Sequence, residues 1–219
     1  MNETQLAKVM SPLYEQLDAA KVPYDTHTKA FPTFFEFYID MFEDEPPNQQ
    51  SIVGGRLFTQ TDIDSHGDEI ADALIYSAMP EPSQLGFTIG HIMNPGRAYP
   101  KVDNAIHPTW RNASSFVITN VLLQGNESWE IKKERENFNT HVLGQKLRDV
   151  SPTGASYVNE GDLNEPNWQE AYWGANYPRL LSIRRKWDPE GVFFTETTPG
   201  TENWSVLDYG TKLCKKATK

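Results

Sequence analysis

Only one cysteine, Cys214, occurs in the 219 residues. An internal disulfide and a cysteine-built metal centre are therefore excluded. Basic residues are also scarce: 20 Lys and Arg against 30 Asp and Glu leave a net charge of −10. Nucleic acid as the main partner would want a basic stripe to meet its phosphate backbone, and no such stripe is visible. No apolar run approaches the roughly 20 residues that span a bilayer. The opening MNETQLAKVM lacks a basic stretch followed by an apolar one, so no signal peptide is expected in this chain. The phosphate loops GxGxxG and GxxxxGK[ST], the zinc motif HExxH and the nucleophile elbow GxSxG are all missing. His27, His66, His91, His107 and His141 are scattered, with no pair at metal-ligand spacing, so no metal is expected. Cys214 lies in a basic tail, KLCKK, and reads as an inert thiol.

The length fits one domain or one and a half, enough to bury a sizeable core. Leu6, Val9, Met10, Leu13 and Leu17 share a helical face over residues 4–20, with a kink or restart expected at Pro12 and Ser11 as its cap. A short strand is expected over Val22 to Lys29, and an aromatic helix over 31–42 with Thr33 near its start. Ser51 to Phe58 reads as a strand in which Gly54 and Gly55 imply a bulge or the close approach of something flat. Two capping boxes, from Thr61 and from Ser65, precede a helix carrying Ile70, Ala71, Leu74 and Ala78. Strands follow over 84–93 and 110–123, joined by a long loop over 94–108. Glu127 to Asp149 is a charged helix with Ile131, Phe138, Val142 and Leu147 turned inward. The fold class is α+β: an antiparallel or mixed sheet with helices on one face. Four N-x-S/T sequons, at Asn2, Asn112, Asn126 and Asn203, read as chance matches or as relics of a longer secreted ancestor.

Two stretches rise above this background. The first, NAIHPTWR (104–111), is a loop closing into a strand, with Trp110 as a packing anchor and Arg111 free to meet a carboxylate. The second is the dense run of aromatics, Asn and turn residues from Gly154 to Trp204. As a strand, Tyr157-Val-Asn159 would set a phenol and an amide on one side, where they can hydrogen-bond a flat heteroaromatic ring or its substrate. Trp168, Tyr172 and Trp173 would pack a short helix, followed by a basic helix over 176–186. Asp188-Pro-Glu-Gly191 stops that helix, and Val192-Phe-Phe194 should bury the exit.

YVNEGDL (157–163), Trp168-Gln, YWGANYPRLL (172–181) and RKWDPEGVFF (185–194) resemble the C-terminal segment of the berberine bridge enzyme-like FAD-linked oxidases. PGTENW (199–204) and Leu213-Cys214 resemble the fungal, isoamyl alcohol oxidase-like branch, and NAIHPTWR is similar to a substrate-domain segment there. The resemblance implies the vanillyl-alcohol-oxidase-like flavoprotein fold, with residues 1–150 as the substrate-binding domain and 151–219 as a C-terminal segment made to pack on an FAD-binding domain. It implies FAD as cofactor and oxidation of a small alcohol, amine or secondary metabolite by hydride transfer to flavin. No counterpart of the N-terminal FAD lobes, with their flavin-linking His and Cys, is expected in this chain. A separate FAD-binding domain or chain, or a homo-oligomer, would then cover the open sheet face. Tyr157 and Asn159 are the expected flavin or substrate contacts, and Glu160 and His91 the candidates for proton abstraction. Glu160 stands where plant relatives often carry a Tyr, and His91 and Asn94 lie where they carry a catalytic Glu. The alternative is a truncated non-catalytic protein, or a small-molecule binder that keeps the substrate-domain fold without FAD.

Overall fold

A computed structural model of the chain describes residues 2–42, 51–78, 86–93, 102–207 and 210–216. Two compact units are present, Met1–Asn48 and Gln49–Lys219.

In the first unit, α1 (Glu3–Ala19) starts in a capping box: the Asn2 side chain accepts from Gln5 N–H, and the Gln5 side chain accepts from Asn2 N–H. The expected break at Pro12 does not occur. Pro12 faces solvent inside one continuous helix, so a single missing hydrogen bond is absorbed, and Ser11 binds Glu15 instead of capping a restart. The strand expected over 22–29 is likewise absent, because this extended segment has no strand to pair with among the described residues. Side chains hold it: Tyr24 stacks on Tyr14 at 5.3 Å, and His27 and Lys29 both reach Asp40 on α2 (Phe34–Met41). Thr33 caps α2 by accepting from Glu36 N–H.

The second unit is built on a three-stranded antiparallel sheet in the order β1–β3–β2, where β1 is Ser51–Thr59, β2 is Gly86–Ile92 and β3 is Ala113–Leu122. Residues paired across an antiparallel ladder project to one face. One face therefore carries Arg56, Phe58, Val117 and Thr119. It receives α3 (Gln60–Ala78) and α5 (Gly144–Asp149) in a core of Phe58, Ile70, Ala73, Val117 and Leu147. The opposite face carries Val53 and Leu57 from β1, Phe116, Ile118 and Asn120 from β3, and Phe87, Ile89 and His91 from β2. Among the described residues of this unit, no helix packs there. Trp110, Tyr157, Met93 and Ala155 cover part of it, and the one-sided α+β architecture is as expected.

Gly54 and Gly55 sit under flat groups. A Cβ on Gly54 would lie 2.9 Å from the Asn139 amide, and one on Gly55 would lie 2.9 Å from the Phe116 ring. The register shift falls later, between Phe58 and Thr59. The capping box also differs from either expected one: Thr59 and Asp62 bond reciprocally, each backbone N–H to the other's side chain at 3.2 Å. α3 then bends at His66.

The charged helix expected over 127–149 is three pieces: α4 (Trp129–Phe138), a π turn (Asn139–Leu143) and α5. The wider turn rotates the buried stripe, so Leu143 goes inside where Val142 was expected, and Ile131 stays exposed. Further on, α6 (Tyr177–Trp187) is the expected basic helix, and Trp204–Leu207 (β4) pairs antiparallel with Lys212–Lys215 (β5). The expected burial of Val192 and Phe193 is overturned: Phe193 is 77% exposed and Trp187 76%, because no described residue covers them. Their backbone is still ordered by Asp188, whose carboxylate accepts from Val192 N–H at 2.8 Å and Phe193 N–H at 3.0 Å.

Candidate flavin-facing site

The free sheet face acquires its chemistry from the segment that follows α5. That segment is riveted to β1 by polar groups. Arg56 donates through Nε to Ser151 Oγ and through an Nη to Ser151 O, both at 2.8 Å. Leu57 N–H meets Ala155 O at 2.7 Å, and Ser156 Oγ donates to Gly55 O at 2.6 Å. Beyond the rivets, Arg148 pairs with Glu165 at 2.9 Å, and Thr140 donates to Asp162 at 2.5 Å. These groups enclose a cavity of about 10 Å³ lined by Gly54, Arg56, Asn139, Arg148, Asp162 and Glu165, room for about one water with polar partners. Burial pushes the Arg56 guanidinium below its usual range.

With its neighbours fixed, Tyr157 lands on the sheet edge. Its ring stands edge-on to Trp110 at 5.3 Å and to Phe116 at 5.9 Å. The expected strand over 157–159 is instead a 3₁₀ turn (Val158–Glu160) that leads the chain off the sheet after the Ala155 bridge. The turn brings the two side chains together directly: Asn159 Nδ2 donates to Tyr157 Oη at 2.7 Å. Asn159 keeps an N–H and its Oδ1, and Tyr157 keeps its hydroxyl proton, for a third party.

Trp110 is placed by another departure from expectation. The strand starts at Ala113, not Trp110, because Pro108–Asn112 forms a 3₁₀ turn with Pro108 at its start. His107 caps that turn. Its Nδ1 accepts from Thr109 N–H at 3.1 Å, while Nε2–H donates to Glu170 O at 2.9 Å, which fixes the tautomer. Burial lowers the imidazole's pKa below its ordinary value, in keeping with a neutral structural histidine. Gly174 closes over this ring with φ +51, and a Cβ there would lie 2.5 Å from His107 Nε2. Arg111, singled out for a carboxylate, makes no ion pair among the described residues.

His91 lies opposite Phe116 in the ladder, on the face that Tyr157 touches, and it is exposed. Phe116 thus separates His91 from Tyr157 and Asn159. Glu160 ends the 3₁₀ turn and is half-buried, its N–H held by Tyr157 O at 3.1 Å. One group escaped the sequence reading: Asn120, 8% exposed on the same face, has an Nδ2 without a hydrogen-bond partner among the described residues. Its position in a β-rich run carried no signal, because its face depends on register.

The C-terminal end of the segment is tied down by Tyr177, which donates to Glu202 at 2.7 Å and accepts from Gly200 N–H at 3.3 Å. Burial, then the Glu202 carboxylate, pushes the phenol up to about 12, and the Gly200 N–H acts the other way. A raised folded-state pKa gives stability that is complete below the ordinary value of 10.0 and is lost as pH rises through about 12. Denaturant midpoints of the wild type are therefore expected to fall more steeply over that window than those of Tyr177→Phe.

Comparison with known proteins places this arrangement. Residues 156–198 match the family profile described as Berberine and berberine like. The chain is 26% identical over 220 residues to the FAD-linked oxidoreductase ZEB1 of Gibberella zeae, covering 98% of this chain and 37% of that relative. It is 30% identical over 227 residues to the FAD-linked oxidoreductase orf1 of Neocamarosporium betae, covering 96% and 37%. The VAO-type flavoprotein MtVAO713 from Myceliophthora thermophila superposes with a TM-score of 0.85 at 25% identity, over 99% of this chain and 38% of that one. The chain thus spans little more than a third of the length of these relatives. The profile match lies on the segment that carries Tyr157 and Asn159, and along nearly its whole length the chain resembles a part of the berberine bridge enzyme-like FAD-linked oxidoreductases.

Proposed function

We propose that this chain supplies the substrate side of an FAD-linked oxidoreductase that oxidises a small alcohol, amine or secondary metabolite. Residues 1–150 would form the substrate-binding portion and 151–219 the segment that meets the flavin domain. The observation that carries the reading is the Asn159–Tyr157 pair, locked to a half-covered apolar sheet face by Trp110 and Phe116. Such a site suits a flat heteroaromatic ring: apolar and aromatic side chains take its face, and the phenol and amide take its polar edge. The fit covers the ring only. No glycine-rich phosphate loop is found in the sequence, so the nucleotide's phosphates would be held by a separate domain or chain.

When bound, FAD would supply the two-electron acceptor for a hydride from the substrate carbon. This chain's residues orient the reactants and move the proton. Asn159 and Tyr157 fix the ring edge, and Phe87 and Ile89 give the substrate an apolar bed. The proton released from the substrate's O–H or N–H passes to the His91 imidazole or to a Glu160 carboxylate oxygen. The exposed Trp187, Val192 and Phe193 would be the docking surface for the flavin domain or for a second copy of the chain.

Riboflavin added to isotope-labelled residues 1–219 tests the assignment. The Asn159 side-chain amide and the Trp110 indole N–H are expected to shift most in the NMR spectrum. Shifts confined to other regions would sink it.

A further inference from the structure

The four sequon asparagines are Asn2, Asn112, Asn126 and Asn203, and all four are exposed. Their amides are not equally free. Asn2 is occupied in capping α1, accepting from Gln5 N–H at 2.9 Å. Asn203 Nδ2 lies 3.5 Å from Gly200 O. Asn112 directly follows Trp110 and Arg111 at the sheet end where Tyr157 is held. Asn112 and Asn126 alike make no side-chain hydrogen bond among the described residues, and Asn126 is set apart by its place. It sits in the open bend between β3 and α4. The preceding Gly125 has φ +78 and open space where a side chain would project. Ser128 completes the sequon and caps α4 by accepting from Ile131 N–H at 3.4 Å, which holds Asn126 outside the helix.

We propose that Asn126 carries an N-linked oligosaccharide. The co-reactant is a lipid-pyrophosphate-linked oligosaccharide, supplied with its transferase on the secretory route. Asn126 Nδ2 forms a bond to the sugar's anomeric carbon, and the bond from that carbon to the pyrophosphate oxygen breaks. The lipid pyrophosphate leaves with the electron pair, and the displaced amide proton goes to a base of the transferase. Two features of the fold suit the modification. Ten residues of β3 separate Asn126 from the Trp110 end, roughly 30 Å of strand, so the sugar stands clear of the aromatic site. The first turn of α4 also exposes Trp129 and Ile131, at 37% and 41%, just beyond the sequon. A bulky hydrophilic group there screens apolar surface that would otherwise invite association. This inference is independent of the flavin reading.

The test is peptide mapping of the protein isolated from its native source, after amidase removal of N-glycans in isotopically heavy water. Asn126 is expected as heavy-labelled aspartate, whether or not other sequons are used. The Asn126→Gln variant, made in the same source, is expected to lose one mobility step. Recovery of Asn126 as unmodified asparagine overturns the proposal, as does an unchanged mobility of the variant.

Discussion

Asp62→Ala is expected to cost about 3–5 kcal/mol of folding stability, because it strands the buried donors of Thr59 and unties the part-buried donors of Thr153 at once. Asp62 is 1% exposed. One carboxylate oxygen accepts from Thr59 N–H at 3.2 Å and Thr59 Oγ1 at 2.9 Å, and the other from Thr153 N–H at 3.1 Å and Thr153 Oγ1 at 2.9 Å. The residue therefore starts α3 and ties the segment after α5 to the end of β1. Alanine removes every acceptor and leaves the two backbone N–H groups unpaired. Urea unfolding should show a lower midpoint with an unchanged slope. A loss below about 1 kcal/mol would mean that water replaces the carboxylate.

Phe116→Ala is expected to cost a similar 3–5 kcal/mol, and to loosen the candidate site as well. The ring is 2% exposed, closes over Gly55, and packs on Trp110 at 5.8 Å and Tyr157 at 5.9 Å. Its loss opens a cavity between the sheet and the two aromatics that define the site. Calorimetry gives the stability change, and the Trp110 indole resonance should broaden or move. Phe116→Leu fills most of the cavity and should recover stability better than ring order. A Phe116→Ala protein with unchanged aromatic resonances would show that Trp110 and Tyr157 hold each other without it.

The one-sided sheet was legible because helix periodicity and β-rich runs report burial on one face each. The two glycines of β1 were legible as a place of close approach, since only a missing Cβ admits the Asn139 amide and the Phe116 ring. Tyr157 and Asn159 were found by residue type, but by a strand argument that does not hold: a 3₁₀ turn, not alternation, joins them. Three-dimensional partners were invisible. Nothing local distinguishes Asp62 from other acids of α3, and its partner Thr153 lies 91 residues away. The π turn at Asn139–Leu143 also escaped, because it is set by Asn139 reaching the sheet, bonding Thr119 at 3.3 Å and Val53 O at 3.3 Å. Val192 and Phe193 were expected inside because apolar side chains usually are. Here they are exposed, at 74% and 77%.

The central claim is that this chain holds the ring-facing half of a flavin site and not the phosphate-binding half. Parallel titrations of residues 1–219 with riboflavin and with FAD, followed by flavin absorbance, test it most directly. The account predicts weak binding of both, equal within about threefold, since the phosphates gain no partner. It also predicts that Asn159→Ala weakens both by about five- to tenfold, the loss of roughly one hydrogen bond. FAD binding a hundredfold tighter than riboflavin would contradict it, and so would no binding of either.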